Sequence, residues 1–69
     1  MNKFKTGHYY LHTSGQILVC TDAFYNLPFI RVKLLDNDDY VENQNLLSPY
    51  IIGNLGANEK VVRLLLADK

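Results

Sequence analysis

Turn-forming residues interrupt this chain at short intervals, and that spacing constrains the fold more than any other feature. Within 69 residues, turn or loop signals recur at Thr6-Gly7, Ser14-Gly15, Ala23–Pro28, Asp36–Asp39 and Gln44–Pro49. Intervals of this kind leave room for short strands and are typical of mostly β domains. The length allows only one domain, which we take as residues 1–69.

Five strands are predicted between these turns. The clearest is Phe29–Leu35, in which apolar and basic side chains alternate, as in a strand with one buried face. The sequence therefore predicts a mostly β fold, either β or α+β, built as a small five-stranded antiparallel barrel or a strongly bent sheet. The other four predicted strands are His8–Thr13, Gln16–Asp22, Tyr40–Asn43 and Tyr50–Ile52.

The C-terminal segment is compatible with two structures. Asn58 is a good N-cap for a helix over 58–67, in which Val61, Val62, Leu64 and Leu65 would form one apolar stripe. A strand over 60–66 is the alternative, because adjacent valines favour β structure. The leucines, glutamate, arginine and alanine of the segment favour the helix, which is our prediction.

A two-residue Ser14-Gly15 turn would fix the register of the first hairpin. Tyr9 would then lie opposite Cys20, and Tyr10 opposite Val19. One face of the hairpin would be apolar core. The other would carry two histidines and a tyrosine beside two aliphatic side chains, and we expect it to be half-buried under the C-terminal segment or under a partner.

The amphiphilic hairpin face and a surplus of aromatic residues predict a surface for binding another protein or a second copy of the chain. Surface tyrosines often anchor protein interfaces, and Phe24-Tyr25 lies in a predicted loop beside Pro28. Our first hypothesis is a non-enzymatic interaction or self-association module. Its predicted surface consists of His8, Tyr10, His12, Ile17, Val19, Phe24 and Tyr25.

Charge argues against a nucleic-acid partner. Seven basic residues balance seven acidic ones, whereas nucleic-acid binding depends on neutralising phosphates. The alternative hypothesis is nevertheless a small barrel that binds nucleic acid through Arg31 and Lys33, with nearby aromatic side chains for stacking.

An acidic turn formed by Asp36, Asp38, Asp39 and Glu42 is predicted to be solvated, or to contact a basic partner. It does not fit the EF-hand spacing, because a tyrosine and a valine occupy the fifth and sixth positions. His8 and His12 would lie about 13 Å apart on a strand, too far to share one ion. We predict no metal and no cofactor.

No catalytic residues are predicted. The single cysteine, Cys20, is expected to be buried among apolar residues rather than to act as a nucleophile, since no base is expected within reach. The sequence has no phosphate-binding glycine loop and no serine nucleophile elbow. Without a signal-like segment, a membrane span or a cysteine pair, we expect a cytoplasmic protein.

Two tyrosine-bearing segments are similar to the Src-homology-three-like small β-barrels. These are Tyr9-Tyr10 in the first strand and Ser48-Pro49-Tyr50 before the last strand. The resemblance covers approximately residues 4–53. It implies a small barrel in which tyrosines of an early loop and of a proline-containing turn form a peptide groove.

Overall fold

The computed structural model describes residues 4–24 and 26–67. Its strands are β1 (Tyr9–His12), β2 (Ile17–Ala23), β3 (Phe29–Leu34), β4 (Asp39–Asn43) and β5 (Ile51–Gly56). Helix α1 (Gln44–Leu47) and a 3-10 helix (Ser48–Tyr50) connect β4 to β5, and helix α2 (Glu59–Ala67) follows β5.

The five strands form one open antiparallel sheet, in the order β4-β3-β2-β1-β5. The five antiparallel strands and the C-terminal helix confirm the mostly β prediction. The barrel alternative is wrong, because β4 and β5 lie at opposite edges of the sheet instead of pairing with each other. The connection through α1 carries the chain from one edge to the other, so it leaves both edges open.

The first hairpin has a different register from the one predicted. Tyr9 lies opposite Val19, not Cys20, because the loop has three residues, 13–15, rather than two. The Gly15 N–H donates to the His12 carbonyl (2.9 Å), and Gly15 then adopts a φ of +90°. A turn followed by a left-handed glycine is the usual three-residue hairpin loop. The extra residue shifts every cross-strand pair by one position.

Both faces of the central strands are buried. On one face, which we call the α1 face, Leu47 of α1 packs against Phe4, Tyr10, Leu18, Cys20, Ile30 and Val32. On the other, the α2 face, Val62 of α2 packs against Tyr9, Ile17 and Val19. The chain's own C-terminal helix therefore covers Ile17 and Val19 of the hairpin face that was expected to be half-buried, whereas Tyr10 of that predicted face lies on the α1 face.

Helix α2 begins as the sequence predicts. The Asn58 side-chain oxygen accepts hydrogen bonds from the backbone N–H groups of Lys60 (3.0 Å) and Val61 (3.2 Å), which is N-cap geometry. The predicted apolar stripe is only partly covered by the sheet. Val62 is fully buried, whereas Val61, Leu64 and Leu65 are exposed.

Candidate functional site

One flank of α2 is charged and is bonded to the sheet. The Glu59 carboxylate accepts a hydrogen bond from the Tyr9 hydroxyl (3.1 Å) and another from Arg63 Nε (2.9 Å). Arg63 also pairs through Nη2 with Asp36, just beyond β3, at 2.6 Å. These contacts fix how α2 is rotated about its axis, because they direct its Arg63 flank toward β3.

The charges on this flank shift one another's pKa values. Hydrogen bonding from Arg63 lowers the pKa of Asp36, and hydrogen bonds from Arg63 and Tyr9 lower that of Glu59. The same two carboxylates raise the pKa of the Arg63 guanidinium. Burial and the bond to Glu59 raise the pKa of the Tyr9 hydroxyl. The flank is therefore satisfied within the chain at neutral pH.

The opposite flank of α2 is apolar and uncovered. Val61 and Leu65 each lie two positions from Arg63, about 200° around the helix axis. Since the Arg63 flank faces β3, they point the other way, toward the edge strand β5. Leu64 adjoins them at helix spacing. The exposed fractions are 46% for Val61, 69% for Leu64 and 50% for Leu65.

Ile52 of β5 is a further exposed aliphatic residue, at a bulge in the edge strand. Leu11 pairs with Gly53 and His12 with Ile51, so Ile52 is the extra residue of a β-bulge. Ile51 packs on the α1 face, whereas Gly53 lies opposite Leu11 of the α2 face, so the bulge at Ile52 interrupts the alternation of faces along β5. It is 64% exposed.

The position of Ile52 along β5 places it near the end of α2. Its neighbour in the sheet, Leu11, pairs with Ile17, and Leu66 from the last turn of α2 packs into the same cluster. Ile52 therefore lies at the level of Leu65. We call Ile52, Val61, Leu64 and Leu65 together the α2–β5 patch.

The sequence-predicted interaction surface is not assembled as one exposed face. Tyr10, Ile17 and Val19 are all buried, and Tyr10 lies on the α1 face, opposite the other two. The register shift and the cover provided by α2 explain this difference. Phe24 is half-buried in the β2–β3 loop, and Tyr25 lies outside the described residues.

The two histidines lie near β5 and have local partners. The ring of His12 stacks on Tyr50, with centroids 5.8 Å apart, and its Nδ1 accepts the Ser14 N–H (3.0 Å). His8 Nδ1 lies 3.3 Å from the side-chain oxygen of Asn54. Since Tyr10 is buried and Tyr50 stacks on His12, the tyrosines do not form the groove that the barrel resemblance implies.

The predicted basic patch lies on the part of the α2 face next to β4. Arg31 shares this face with Lys33 and with Phe29, two residues before it. Arg31 lies 3.7 Å from the carboxylate of Asp39, an exposed ion pair. Part of the basic charge predicted for nucleic-acid binding is therefore neutralised within the chain.

The acidic turn is split between two partners rather than gathered at one point. Asp36 pairs with Arg63 and Asp39 with Arg31. Glu42 accepts the backbone N–H of Asn43 (3.2 Å), and Asp38 is exposed. Among residues 4–24 and 26–67, no three histidine, cysteine or acidic side chains are close enough to hold a metal ion.

Cys20 is fully buried, as the sequence predicts, and burial raises the pKa of its thiol.

A shallow depression of about 220 Å³ lies elsewhere, between the β1–β2 turn, the segment 34–37 and Leu66. Its acidic side chain, Asp36, is the one that pairs with Arg63. The α2–β5 patch thus remains the site to be explained.

The sequence predicts that Val61, Leu64 and Leu65 belong to one apolar stripe of α2, but it does not identify them as a binding surface. The spacing of Val61, Leu64 and Leu65 identifies one helix flank. It does not say whether that flank faces the sheet or solvent, and the exposure of Ile52 depends on a bulge with no sequence signal of its own.

Comparison with known proteins gives no relative from which a function could be transferred: no family model, curated protein or solved structure matches this chain. In the described part of the chain, the helices are all too short or too polar to cross a membrane.

Proposed function

We propose that this chain is a non-enzymatic protein-interaction module that binds its partner through the α2–β5 patch. The observation that supports this proposal is the group of three exposed aliphatic side chains on one flank of α2, together with the exposed Ile52 of the edge strand β5. Single exposed apolar residues are ordinary, whereas contiguous exposed apolar patches mark interaction sites.

Charge distribution supports the choice of this surface. The edge strand β4 carries Asp39 and Glu42, and charged residues on an edge strand discourage association. The other edge strand, β5, has no charged residue in its sequence Ile-Ile-Gly-Asn-Leu-Gly. The apolar flank of α2 lies above this uncharged edge, so no charge of β5 has to be desolvated when a partner covers it.

The other surfaces offer less to a protein partner. Of the residues first predicted for binding, Tyr10, Ile17 and Val19 are buried, and Arg31 of the alternative basic patch is already paired with Asp39. The exposed apolar residues outside the patch include Leu27 in the β2–β3 loop and Leu46 on α1. They provide matched controls, because Leu46 is 67% exposed, almost as much as Leu64.

The test compares three tagged forms of the chain as bait in an extract of its own cells. The forms are the wild type, the double variant Leu64→Gln/Leu65→Gln, and the control Leu46→Gln. Glutamine is a good helix former, so the double variant should keep α2 while removing its apolar flank. Circular dichroism and urea unfolding check that all three forms fold alike.

We expect the wild type and the control to retain the same protein in near-stoichiometric amount, and the double variant to retain at least tenfold less. The retained protein counts whether it is another chain or an untagged copy of this one. Equal retention by all three baits would refute the assignment of binding to this patch.

A further inference from the structure

We propose that the outer edge of β4 pairs with the β4 edge of a second copy of this chain. The two strands run antiparallel about a two-fold axis at Val41 and join two five-stranded sheets into one continuous sheet. Strand β4 lies at the edge opposite to β5, so this pairing uses a surface separate from the α2–β5 patch and goes beyond the proposed function.

The backbone groups that β4 directs outward follow from its pairing with β3. Just beyond the two ends of this ladder, the Leu34 N–H donates to the Asp38 carbonyl (3.2 Å) and the Gln44 N–H donates to the Pro28 carbonyl (2.7 Å). Hydrogen-bonded pairs alternate with non-bonded pairs along an antiparallel ladder. The N–H and C=O groups of the even-numbered residues of β4 therefore face β3, and those of the odd-numbered residues face outward.

The outward groups form a regular row, because the register of β3 and β4 contains no shift. They belong to Asp39, Val41 and Asn43. The Asn43 N–H is bonded to the Glu42 carboxylate (3.2 Å), whereas in the described part of the chain no strand lies beyond Asp39 and Val41. The edge strand β5 has no such row, because its pairing with β1 shifts register twice. Strand addition uses a row of unpaired N–H and C=O groups, so β4 is the edge that fits.

A second copy of β4 matches this row over its whole length in one register. When Val41 lies opposite its own image, Asp39 lies opposite Asn43 of the second copy, and Tyr40 lies opposite Glu42 of the second copy. All three outward-facing residues then pair with outward-facing residues. The strand is therefore complementary to itself, as a two-fold interface requires.

The same register keeps the acidic side chains of β4 apart. Like charges directly opposite each other destabilise a pair of strands, and here the two acids face an amide and a phenol instead. A shift of two residues in one direction places Glu42 opposite its own image, and a shift in the other direction places it opposite Asp38. The charges that discourage other associations of this edge thus favour one pairing.

The side chains on β4 also gain from the pairing. Val41 is 48% exposed and Tyr40 is 37% exposed, and a second copy covers both. No cation among the described residues pairs with Glu42, and its neighbour across the axis is a neutral tyrosine rather than a second carboxylate. Glu42 and Tyr40 lie beside Ile30 and Val32 on the α1 face, so this contact continues the apolar surface of the sheet.

The cations of β3 do not oppose the pairing. Arg31 and Lys33 lie on the α2 face, opposite Val41 and Asp39, and Arg31 is paired with Asp39. In the dimer the two copies of Arg31 are separated by three strand spacings, about 14 Å. This separation exceeds the screening length of about 8 Å at physiological ionic strength, so their repulsion is weak.

The dimer is expected to be weak and to leave the α2–β5 patch accessible. A contact through five residues of each chain is much smaller than a standard interface, so we expect a dissociation constant on the order of 100 µM. A dimer of this strength dissociates when a bait is washed, so the extract experiment still reports on the α2–β5 patch. The joined sheet carries one such patch at each outer edge, which favours partners with two binding sites.

The test is sedimentation equilibrium of the purified chain from micromolar to millimolar concentration. We expect the mass of the wild type to rise from 7.9 kDa toward twice that value. Val41→Pro removes the central outward donor but no hydrogen bond to β3, and proline is tolerated at such edge positions. It should raise the dissociation constant at least tenfold, whereas the control Leu64→Gln/Leu65→Gln should change it less than twofold.

Val41→Lys provides a second variant in case the proline variant folds poorly. Lysine is a common guard of edge strands, and here each lysine faces its own image, so the dissociation constant should again rise at least tenfold. In the wild type, hydrogen exchange of the Val41 amide should slow as the concentration increases. A wild type that remains monomeric throughout overturns this proposal, as does a dimer that tolerates both Val41 variants. Neither result changes the outcome of the extract experiment, which decides the proposed function.

Discussion

The two flanks of α2 differ in how far the chain satisfies them. On one flank, Arg63 and Glu59 find partners in Asp36 and in the Tyr9 hydroxyl. On the other flank, the exposed side chains of Val61 and Leu65 adjoin an open sheet edge. The chain thus provides partners for Glu59 and Arg63 and leaves the apolar flank of the helix to solvent.

This difference shows that one set of contacts orients α2 about its axis and another attaches it to the sheet. The ion pairs of Arg63 are exposed, and exposed pairs add little net stability. They can set the rotation of the helix without holding it strongly. Attachment depends on the narrow strip between the flanks, where Val62 is fully buried and Leu66 is partly buried. A helix oriented in this way presents its remaining apolar surface in one direction.

The largest effect should come from exchanging adjacent valines of α2 for alanine. Val62→Ala removes two methyl groups from a fully buried site, so it should lower the free energy of unfolding by about 2 kcal/mol. Val61→Ala, at a 46% exposed site, should change it by less than about 0.5 kcal/mol. Urea unfolding at concentrations too low for association measures both variants.

Equal losses in the two valine variants would contradict the seating of α2 through Val62. They would mean that the helix buries its Val61 flank in solution. The patch would then belong to the core of a single chain, and the contrast between the two flanks would disappear.

Local elements were predictable because their signals lie within a few residues of one another. The alternation around Arg31 and Lys33 identified β3, and Asn58 marked the start of α2. Burial of Cys20 followed from its position in an apolar strand. Each of these features depends on side-chain periodicity or on a single cap, which a sequence displays directly.

The arrangement of the elements was not predictable in the same way. Counting Ser14-Gly15 as the whole turn shifted the hairpin by one residue, because nothing in the sequence shows that residue 13 belongs to the loop. Strand β5 pairs with β1 at one edge of the sheet rather than with β4 at the other, and this pairing joins residues that are far apart in the sequence. The α2–β5 patch depends on that pairing, so sequence reasoning did not identify it.

Removing the cap of α2 should have a smaller effect that acts on both flanks together. Asn58→Ala deletes the acceptor for two backbone N–H groups and should cost about 1 kcal/mol of stability. Because the first turn frays, amide hydrogen exchange should speed up at Lys60 and Val61. Unchanged exchange at these amides would show that another group caps the helix in solution.

Acid should weaken the contacts of Asp36 and Glu59 with Arg63 on the charged flank of α2. The variant Arg63→Met can identify this effect. Asp36 and Glu59 have pKa values below their ordinary 3.8 and 4.5 in the folded chain, chiefly because of Arg63. Their stabilising contribution is therefore complete above those ordinary values and is lost as the pH falls through the lowered ones. The free energy of unfolding, measured between about pH 5 and pH 2, should decline accordingly.

The matched control for this acid effect is Arg63→Met, which keeps the apolar stem of the side chain but removes its charge. Its stability should decline less steeply over the same pH range, because the two carboxyl groups no longer have a cationic partner. Identical pH profiles for the wild type and Arg63→Met would show that the pairing seen on this flank does not lower those pKa values in solution.

Salt should produce the smallest effect and the one that separates the two flanks most directly. Raising the ionic strength to about 1 M shortens the screening length to about 3 Å, which weakens exposed ion pairs such as Arg63 with Asp36. The difference in stability between the wild type and Arg63→Met should therefore shrink. Retention of a partner by the α2–β5 patch, which we expect to depend on uncharged side chains, should stay constant or increase when sodium sulfate is the salt, because excluded salts favour apolar burial. A complex that weakens as salt is added would instead place charged groups across the interface, and the α2–β5 patch could not then be its centre.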